Sequence, residues 1–466
     1  MGFTRAGAAD DPIQDWIVSF TRSFGASAQQ DDTVLTLAAA LSVDTIGVAL
    51  AGLSGQPSIL AARYAARQPA HSGATLLGTH IVVAPELAAF ANGTAARYVE
   101  MNDIYHRAGV QGGHPSDVIL PLTAIGEYAH ASGRDLLAAV AIAYEIYLRF
   151  ADATSIPGFD AATFASLAVS AAGAWLLGLG DASIGEAVAI SVSSGNFLNV
   201  ARTGQLTMWK AMATGAAGRQ GVFAALLAAD GAQGPTLPFV GASGWLDTIP
   251  RTALTAGQLA GREGLAIADT LLKYRPSAAS TIAPAIAAER AVRGMPAPPG
   301  IERVVVHVYA KAVQRLAAYG DSAWRPLTRE AADHSVPYVV AAALVDGTVT
   351  PASFAADRLT DRRLTELLSR LDVLADDEFT RAYERTPTEH RARVRVEFID
   401  GTSMVGVCDE LDAGLSAAKD RAEIDAKFAG LTADRFNADQ RGHVLAQLWR
   451  AVDLEDVAEI PILLGS

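Results

Sequence analysis

Arg393-Val394-Arg395-Val396-Glu397-Phe398-Ile399, then Asp400-Gly401, then Thr402 to Val407, is the stretch on which the fold turns. Val394, Val396 and Phe398 alternate with Arg393, Arg395 and Glu397, the period of two that marks a half-buried strand. Asp-Gly between two such runs predicts a β-hairpin, because the tightest hairpin turns need positive φ. Upstream, Ile301 to Ala310 reads Ile-Glu-Arg-Val-Val-Val-His-Val-Tyr-Ala, whose β-branched residues predict another strand. Helical spacing lies between them, including Asp361 to Leu374 with Leu364, Leu367, Leu368 and Leu371. Residues 266–405 are therefore expected to form a small α+β domain.

Outward from this segment the chain reads as helix. Thr33 to Ala51 carries apolar residues at helical spacing. Pro85 to Tyr98 is a second helix, after an extended Ala74 to Val83. Val118 to His130 and Asp135 to Phe150 predict an antiparallel pair joined at Ser132-Gly133-Arg134-Asp135, with Gly as stop and Asp as cap. Asp181 to Ile190 and Lys210 to Ala229 continue the series, and Asp230 to Pro235 ends it in a loop. From Leu411 amphipathic helices return, with Val444, Leu445, Leu448, Trp449 and Val452 as an apolar stripe. The expected fold class is mainly α: one large all-helical domain from both chain ends, 1–265 and 406–466, beside the smaller α+β domain.

Composition bounds the function. Half of the 466 residues are hydrophobic and 19% are charged, which leaves material for a sizeable core. Lys and Arg number 37 against 50 Asp and Glu, a net charge of −13. Such a surface repels phosphates, so neither nucleic acid nor an anionic membrane is an expected partner, and a small anion needs a local basic pocket. The single cysteine, Cys408, excludes an intrachain disulfide and a cysteine-based zinc site; in a predicted strand it reads as a small buried hydrophobe. Reducing, cytoplasmic surroundings fit this usage. Met1 to Trp16 lacks the apolar run of a secretory leader. Ala161 to Gly180 has no charge and is long enough to span a bilayer, but its many Ala and Gly fit close packing in a helical core better.

Chemistry concentrates in Glu100-Met101-Asn102-Asp103-Ile104-Tyr105-His106-Arg107 and Gly112-Gly113-His114-Pro115-Ser116-Asp117. In an Ala/Leu-rich chain this cluster of acids, imidazoles, amide, guanidinium and hydroxyl is material for acid–base catalysis, although Asn, Asp, Gly and Pro also build ordinary turns. His114 sits on a turn after two glycines. Lys210 lies in an apolar run, suited to a base or an anion anchor. Lys273, in Lys-Tyr-Arg-Pro, falls at the domain junction, where a cation can clamp an anion. Tyr338 offers a phenol. Each has a plainer reading: a surface histidine, a snorkelling lysine, a solvated hinge, a core tyrosine. No dinucleotide fingerprint, Walker loop, zincin motif or nucleophile elbow is present. Asp103, His106 and His114 have no recognised metal spacing, so neither metal nor organic cofactor is expected.

Taken together, Ala74 to Thr79, Ala91 to Arg97, Asn102 to Asp117, Met208 to Gly221, Lys273 to Pro276 and Asp333 to Gly347 resemble, in order, segments of the MmgE/PrpD family. That family includes 2-methylcitrate dehydratase, cis-aconitate decarboxylase and iminodisuccinate epimerase. The resemblance implies a helical domain with a smaller α+β lid, a homodimer, and a cofactor-free site in the cleft between domain and lid. It carries over His114 as the histidine before Pro, Asp103 as the second acid of a D-x-[DN]-D-T element, Lys210 and Lys273 as the site lysines, and Tyr338 as the site tyrosine. Glu100, Asn102, His106, Arg107, Ser116, Asp160 and Arg202 are the candidate substrate-binding groups. Three positions depart from the pattern: Glu100 replaces Asp, Ile104 replaces Thr, and Asp160 stands where decarboxylase-like members carry His.

The shared chemistry is removal of a proton α to a carboxylate of a small di- or tricarboxylate. Ile104 takes a polar group from the pocket edge, which leans the expectation towards an isomerase, the epimerase of iminodisuccinate. A lyase of the 2-methylcitrate dehydratase type is the alternative, and a non-catalytic binding protein the further one.

Overall fold

Several helices begin where the chain supplies a side-chain cap. Asp11 accepts from the amides of Ile13 and Gln14 to start Pro12–Ala28, and Asp31 accepts from Thr33 and Val34 to start Asp32–Gly52. Asn437 and Gln440 form a reciprocal capping box ahead of Ala438–Trp449. The computed structural model describes residues 10–465 apart from 108, 251–252, 295–299 and 410–413. The protein is mainly α, 59% helix and 10% strand. Residues 1–9, within the stretch read for a leader, and the start of the C-terminal return at Leu411 lie outside the described residues.

Two apolar cores divide the chain. The larger gathers residues from Ile13 to Leu272 and then from Ile424 to Leu464, so both chain ends contribute to it. The C-terminal helix Arg421–Leu431 packs on Asp32–Gly52 and is fastened there by Lys427, whose ammonium lies 2.6 Å from Asp44 and 2.7 Å from the carbonyl of Met101. The smaller core runs from Ala283 to Cys408, and Cys408 is buried in it. Its four-stranded sheet has Ile301–Val308 and Ala392–Phe398 at the centre, antiparallel to each other, with Leu371–Ala375 and Ser403–Cys408 outside. The hairpin of Val394 with Gly406 and Val396 with Met404 is the one the opening stretch predicts, and its second strand runs past residue 405.

Two expectations change. The helix over Asp361 to Leu374 stops at Leu368, and Leu371–Ala375 is a strand parallel to Val304–Val308. Leu371 satisfies the helical spacing, but the open edge of Ile301–Val308 recruits the residues after it, and the intervening helices make the crossover that a parallel pair needs. The large unit is not purely helical. Pro69–Thr75 pairs with Val82–Val83, and Leu272–Lys273 pairs antiparallel with Leu415–Ser416. As expected, the uncharged stretch after Ala161 holds a buried core helix of 15 residues, Ala162–Leu176. Among the described residues Asp32–Gly52 is the one helix long and apolar enough to cross a membrane, and it lies largely buried in the first core.

Candidate active site

Two helices that touch through glycine bring the first charges together. A Cβ on Gly215 would stand 2.4 Å from the carbonyl of Phe90, so Trp209–Ala229 approaches Pro85–Tyr98 only because that side chain is absent. The helices run antiparallel: Gly93 meets Gly215, and further along Lys210 meets Glu100. Glu100 follows the helix end with φ of +58°, an uncommon conformation for a side-chain-bearing residue. Arg329, from the second core, donates to the carbonyls of Tyr98 and Val99 and so ties that core to the same helix end.

The buried Glu100 carboxylate is the hub. Lys273 Nζ lies 2.7 Å from Oε1, Lys210 Nζ 2.9 Å from Oε2, and Arg97 Nη1 3.3 Å from Oε2. Burial alone would raise Glu100, but Lys210, Lys273 and Arg97 together hold it well below the usual carboxylate range. Lys273 in turn is lowered to about 8 by burial, with Glu100 opposing the shift. Lys210 also contacts Asp333 at 3.4 Å and His334 Nδ1 at 3.3 Å.

The loop before His114 is drawn into place by main-chain bonds. Ile104 exchanges both with Leu271, and Tyr105 N–H donates to Gly113. At Gly113, φ is +150° and a Cβ would lie 2.1 Å from Tyr147 Oη, so only glycine fits. His114 Nδ1 is 2.7 Å from the main-chain oxygen of Asp103. A carbonyl only accepts, so Nδ1 carries the hydrogen and Nε2 presents a lone pair, 3.8 Å from Glu100 Oε1. Burial, then Arg97, puts His114 well below the ordinary histidine value, so the ring is neutral near pH 7.

These groups face a cavity of about 670 Å³ bounded by both cores. Glu100, His106, His114, Asp160, Arg202 and Lys273 line it. Asp160 and Arg202 pair with each other, and Arg202 holds Asp160 below its usual value against burial. Lys210 stands behind Glu100 and His334. Asp103, Asn102 and Ser116 form the support: Asp103 accepts from Ser116 N–H at 3.0 Å and Tyr144 Oη at 3.0 Å, and Asn102 accepts from Arg97 and donates to Ser116 Oγ. Asp103 therefore positions His114 through its main chain, and its carboxylate turns away from the cavity.

Two candidates are elsewhere. Tyr338 lies in the second core, tilted against Phe354, and its hydroxyl donates to the carbonyl of Ser353 at 2.9 Å. Helical packing of Val336–Asp346 claims it, as the plainer reading of a core tyrosine allows. Arg107 is half-exposed and pairs with Asp152 at 3.0 Å, outside the cavity lining. In their place the structure brings in Tyr319 and His334 as lining residues. His334 Nδ1 is 2.5 Å from Asp333 Oδ1, and burial, then Lys210, lowers its proton affinity. Asp117 is a further buried acid, raised to about 7 by burial despite Arg97 at 3.4 Å. Among the described residues no three His, Cys, Asp or Glu side chains converge to hold a metal ion.

A mainly α chain with a charge-paired cleft between two cores, and neutral imidazoles opening into it, is the class that these features define. Its N-terminal part matches the MmgE/PrpD N-terminal domain over residues 17–256, and its C-terminal part the MmgE/PrpD C-terminal domain over 276–451. The chain belongs to the MmgE/PrpD family. It is 25% identical to cis-aconitate decarboxylase of Homo sapiens, over 93% of this chain and 90% of that protein. It is 26% identical to 2-methylcitrate dehydratase of Escherichia coli K12, over 74% of each. Alkylcitrate dehydratase phiI of a fungal species is also 26% identical, over 77% of this chain and 75% of its own.

Proposed function

We propose that the chain is a lyase that removes the elements of water from a small hydroxylated di- or tricarboxylate, using its own side chains as acid and base. The observation that carries the reading is His114: neutral, tautomerically locked by the Asp103 carbonyl, with Nε2 open to the cavity beside the Glu100–Lys273 pair. A base of this kind takes the proton α to a carboxylate. The electron pair left on carbon spreads into that carboxylate, whose charge the nearby cations offset. It then forms the carbon–carbon double bond as the β carbon–oxygen bond breaks. The departing hydroxyl takes a proton from the Lys273 ammonium, which a pKa of about 8 makes a competent acid, and leaves as water. His334, oriented by Asp333, is a second candidate base.

The relatives named above, dehydratases and decarboxylases, support a lyase. None of the relatives named above is an epimerase, and that expectation gives way to its alternative. Ile104, on which it leaned, lines the cavity with its main chain bridged to Leu271, and an apolar group there is compatible with either reaction. Asp160, engaged with Arg202, supports dehydration over decarboxylation. The same proposal includes the α+β unit as a lid, a homodimer, cytoplasmic residence and no partner among nucleic acids or membranes; light scattering tests the dimer.

The test is incubation with a panel of 2-methylcitrate, citrate and shorter hydroxy-dicarboxylates in heavy water. The expected result is ultraviolet absorbance from a new conjugated double bond, with matching loss of the hydroxylated carbon's signal by NMR. Deuterium exchange without any alkene would instead restore the epimerase. No reaction across the panel would refute the lyase.

A further inference from the structure

The chemistry above leaves one wall of the cavity without a task. The helix Ala310–Tyr319 turns Lys311, Arg315 and Tyr319 towards the cavity, at intervals of four residues, while Ala312 and Leu316 are buried on its other side. Lys311 and Arg315 are like charges one turn apart, an arrangement that disfavours the helix. Burial and then Arg315 lower the proton affinity of Lys311. Among the described residues neither cation makes an ion pair with an acid; the Lys311 ammonium lies 5.8 Å from the Tyr383 ring centre. This separates them from the deeper cations. Lys210 and Lys273 share Glu100, and Arg202 has Asp160. Their field also reaches His106, which burial, His390, Arg315 and Lys311 together hold well below the ordinary histidine value. Lys311 is exposed and Arg315 half-buried at the open side of the cavity, where cations without an acid partner gain one when an anion enters, and the guanidinium fork matches a carboxylate edge to edge.

We infer that Lys311 and Arg315 bind a carboxylate of the substrate remote from the carbon that loses its proton. The inference rests on the lyase reading and deepens it. It makes the second core a specificity element: a substrate needs one carboxylate near Lys273 and a second that reaches the helix Ala310–Tyr319. Monocarboxylates are then poor ligands, and removing Arg315 abolishes the advantage of the tricarboxylate.

Binding measured by calorimetry with propane-1,2,3-tricarboxylate, which cannot be dehydrated, tests this without turnover. Losing charge-assisted hydrogen bonds predicts about 10- to 100-fold weaker binding in Arg315→Ala and a smaller loss in Lys311→Ala. Arg315→Lys should recover part of it. Acetate binding, weak in the native protein, should not change. With the true substrate, KM should rise in Arg315→Ala while kcat holds within about threefold. Unchanged tricarboxylate affinity in the Lys311→Ala/Arg315→Ala double variant would overturn the inference, and native turnover would still support the lyase. Arg315-dependent tricarboxylate binding without turnover of any substrate would uphold the subsite and defeat the lyase reading. Failure of the native protein to bind any carboxylate would overturn both.

Discussion

Lys210 and Lys273, 63 positions apart in the chain, hold the two oxygens of one carboxylate: Lys210 Nζ lies 2.9 Å from Glu100 Oε2 and Lys273 Nζ 2.7 Å from Oε1. All three side chains are at most 2% exposed. Breaking one partner of such a buried set costs more than the set contributes, because the remaining charges stay buried without compensation. Glu100→Gln should therefore lower stability by about 3–5 kcal/mol in urea unfolding. Adding Lys210→Met to Glu100→Gln should recover a large part. Equal stability of the single and double variants would contradict the shared-carboxylate account.

His114→Ala should lower kcat by about 10²- to 10⁴-fold, the usual worth of a positioned general base, with the circular-dichroism spectrum and melting curve preserved. His334→Ala should also lower kcat. If His334 and not His114 is the base, the pattern reverses: His334→Ala abolishes solvent-deuterium exchange at the α carbon while His114→Ala retains it.

Much of this was legible in the sequence, for physical reasons that differ by residue. Helices such as Pro85–Tyr98 are set by local spacing and by Pro at the first turn, so their extents follow from the chain alone. His114 was legible because two glycines and a proline have few explanations other than a shaped turn. His334 was less so, although it carries the same kind of signal, a histidine just ahead of the capped, proline-started helix Val336–Asp346. The phenol four positions on is the more conspicuous group, yet in helical geometry Tyr338 falls on the face that the second core buries. Arg315 was illegible for another reason: an arginine on an amphipathic helix reads as solvated until the opposite wall is known. The strand Leu371–Ala375 depends on a sheet edge that lies far away in sequence.

Asp117 couples stability to pH. Its folded-state pKa is raised to about 7 from 3.8, first by burial, so the folded protein holds this proton more tightly than the unfolded chain. The contribution is complete at low pH and is lost as pH rises from about 4 through about 7, a change on the order of 4 kcal/mol. The side chain is 3% exposed, so solvent screens little of it. Asp117→Asn removes the ionisation, so the variant should gain on the native protein as pH goes from 5 to 8. A stability difference that is the same at both pH values would argue against a buried, reluctant acid at this position.

Lys273 sets the alkaline limit of activity. Burial lowers its pKa to about 8, so the ammonium is present below that value and is lost as pH rises through it. The kcat/KM profile should fall with a midpoint near 8. Lys273→Arg keeps the charge but is far too weak an acid to replace the ammonium, so it should lose most of the turnover at neutral pH, and the profile of what remains should lack the fall. A native-like alkaline limb in Lys273→Arg would assign that ionisation to another group.

Two tyrosines separate the expectation from the observed site. Tyr338 donates to the Ser353 carbonyl inside the second core, whereas Tyr319 lines the cavity and packs edge-on to His334 with ring centres 6.1 Å apart. Tyr338→Phe should cost about 1 kcal/mol of stability, one buried hydrogen bond, and leave kcat and KM in place. Tyr319→Phe should leave unfolding unchanged and alter kcat or KM, because its hydroxyl is available to the ligand. Measured side by side, loss of turnover in Tyr338→Phe with native stability would return that residue to the site. It would also require the helix Val336–Asp346 to turn its buried face towards the cleft during catalysis.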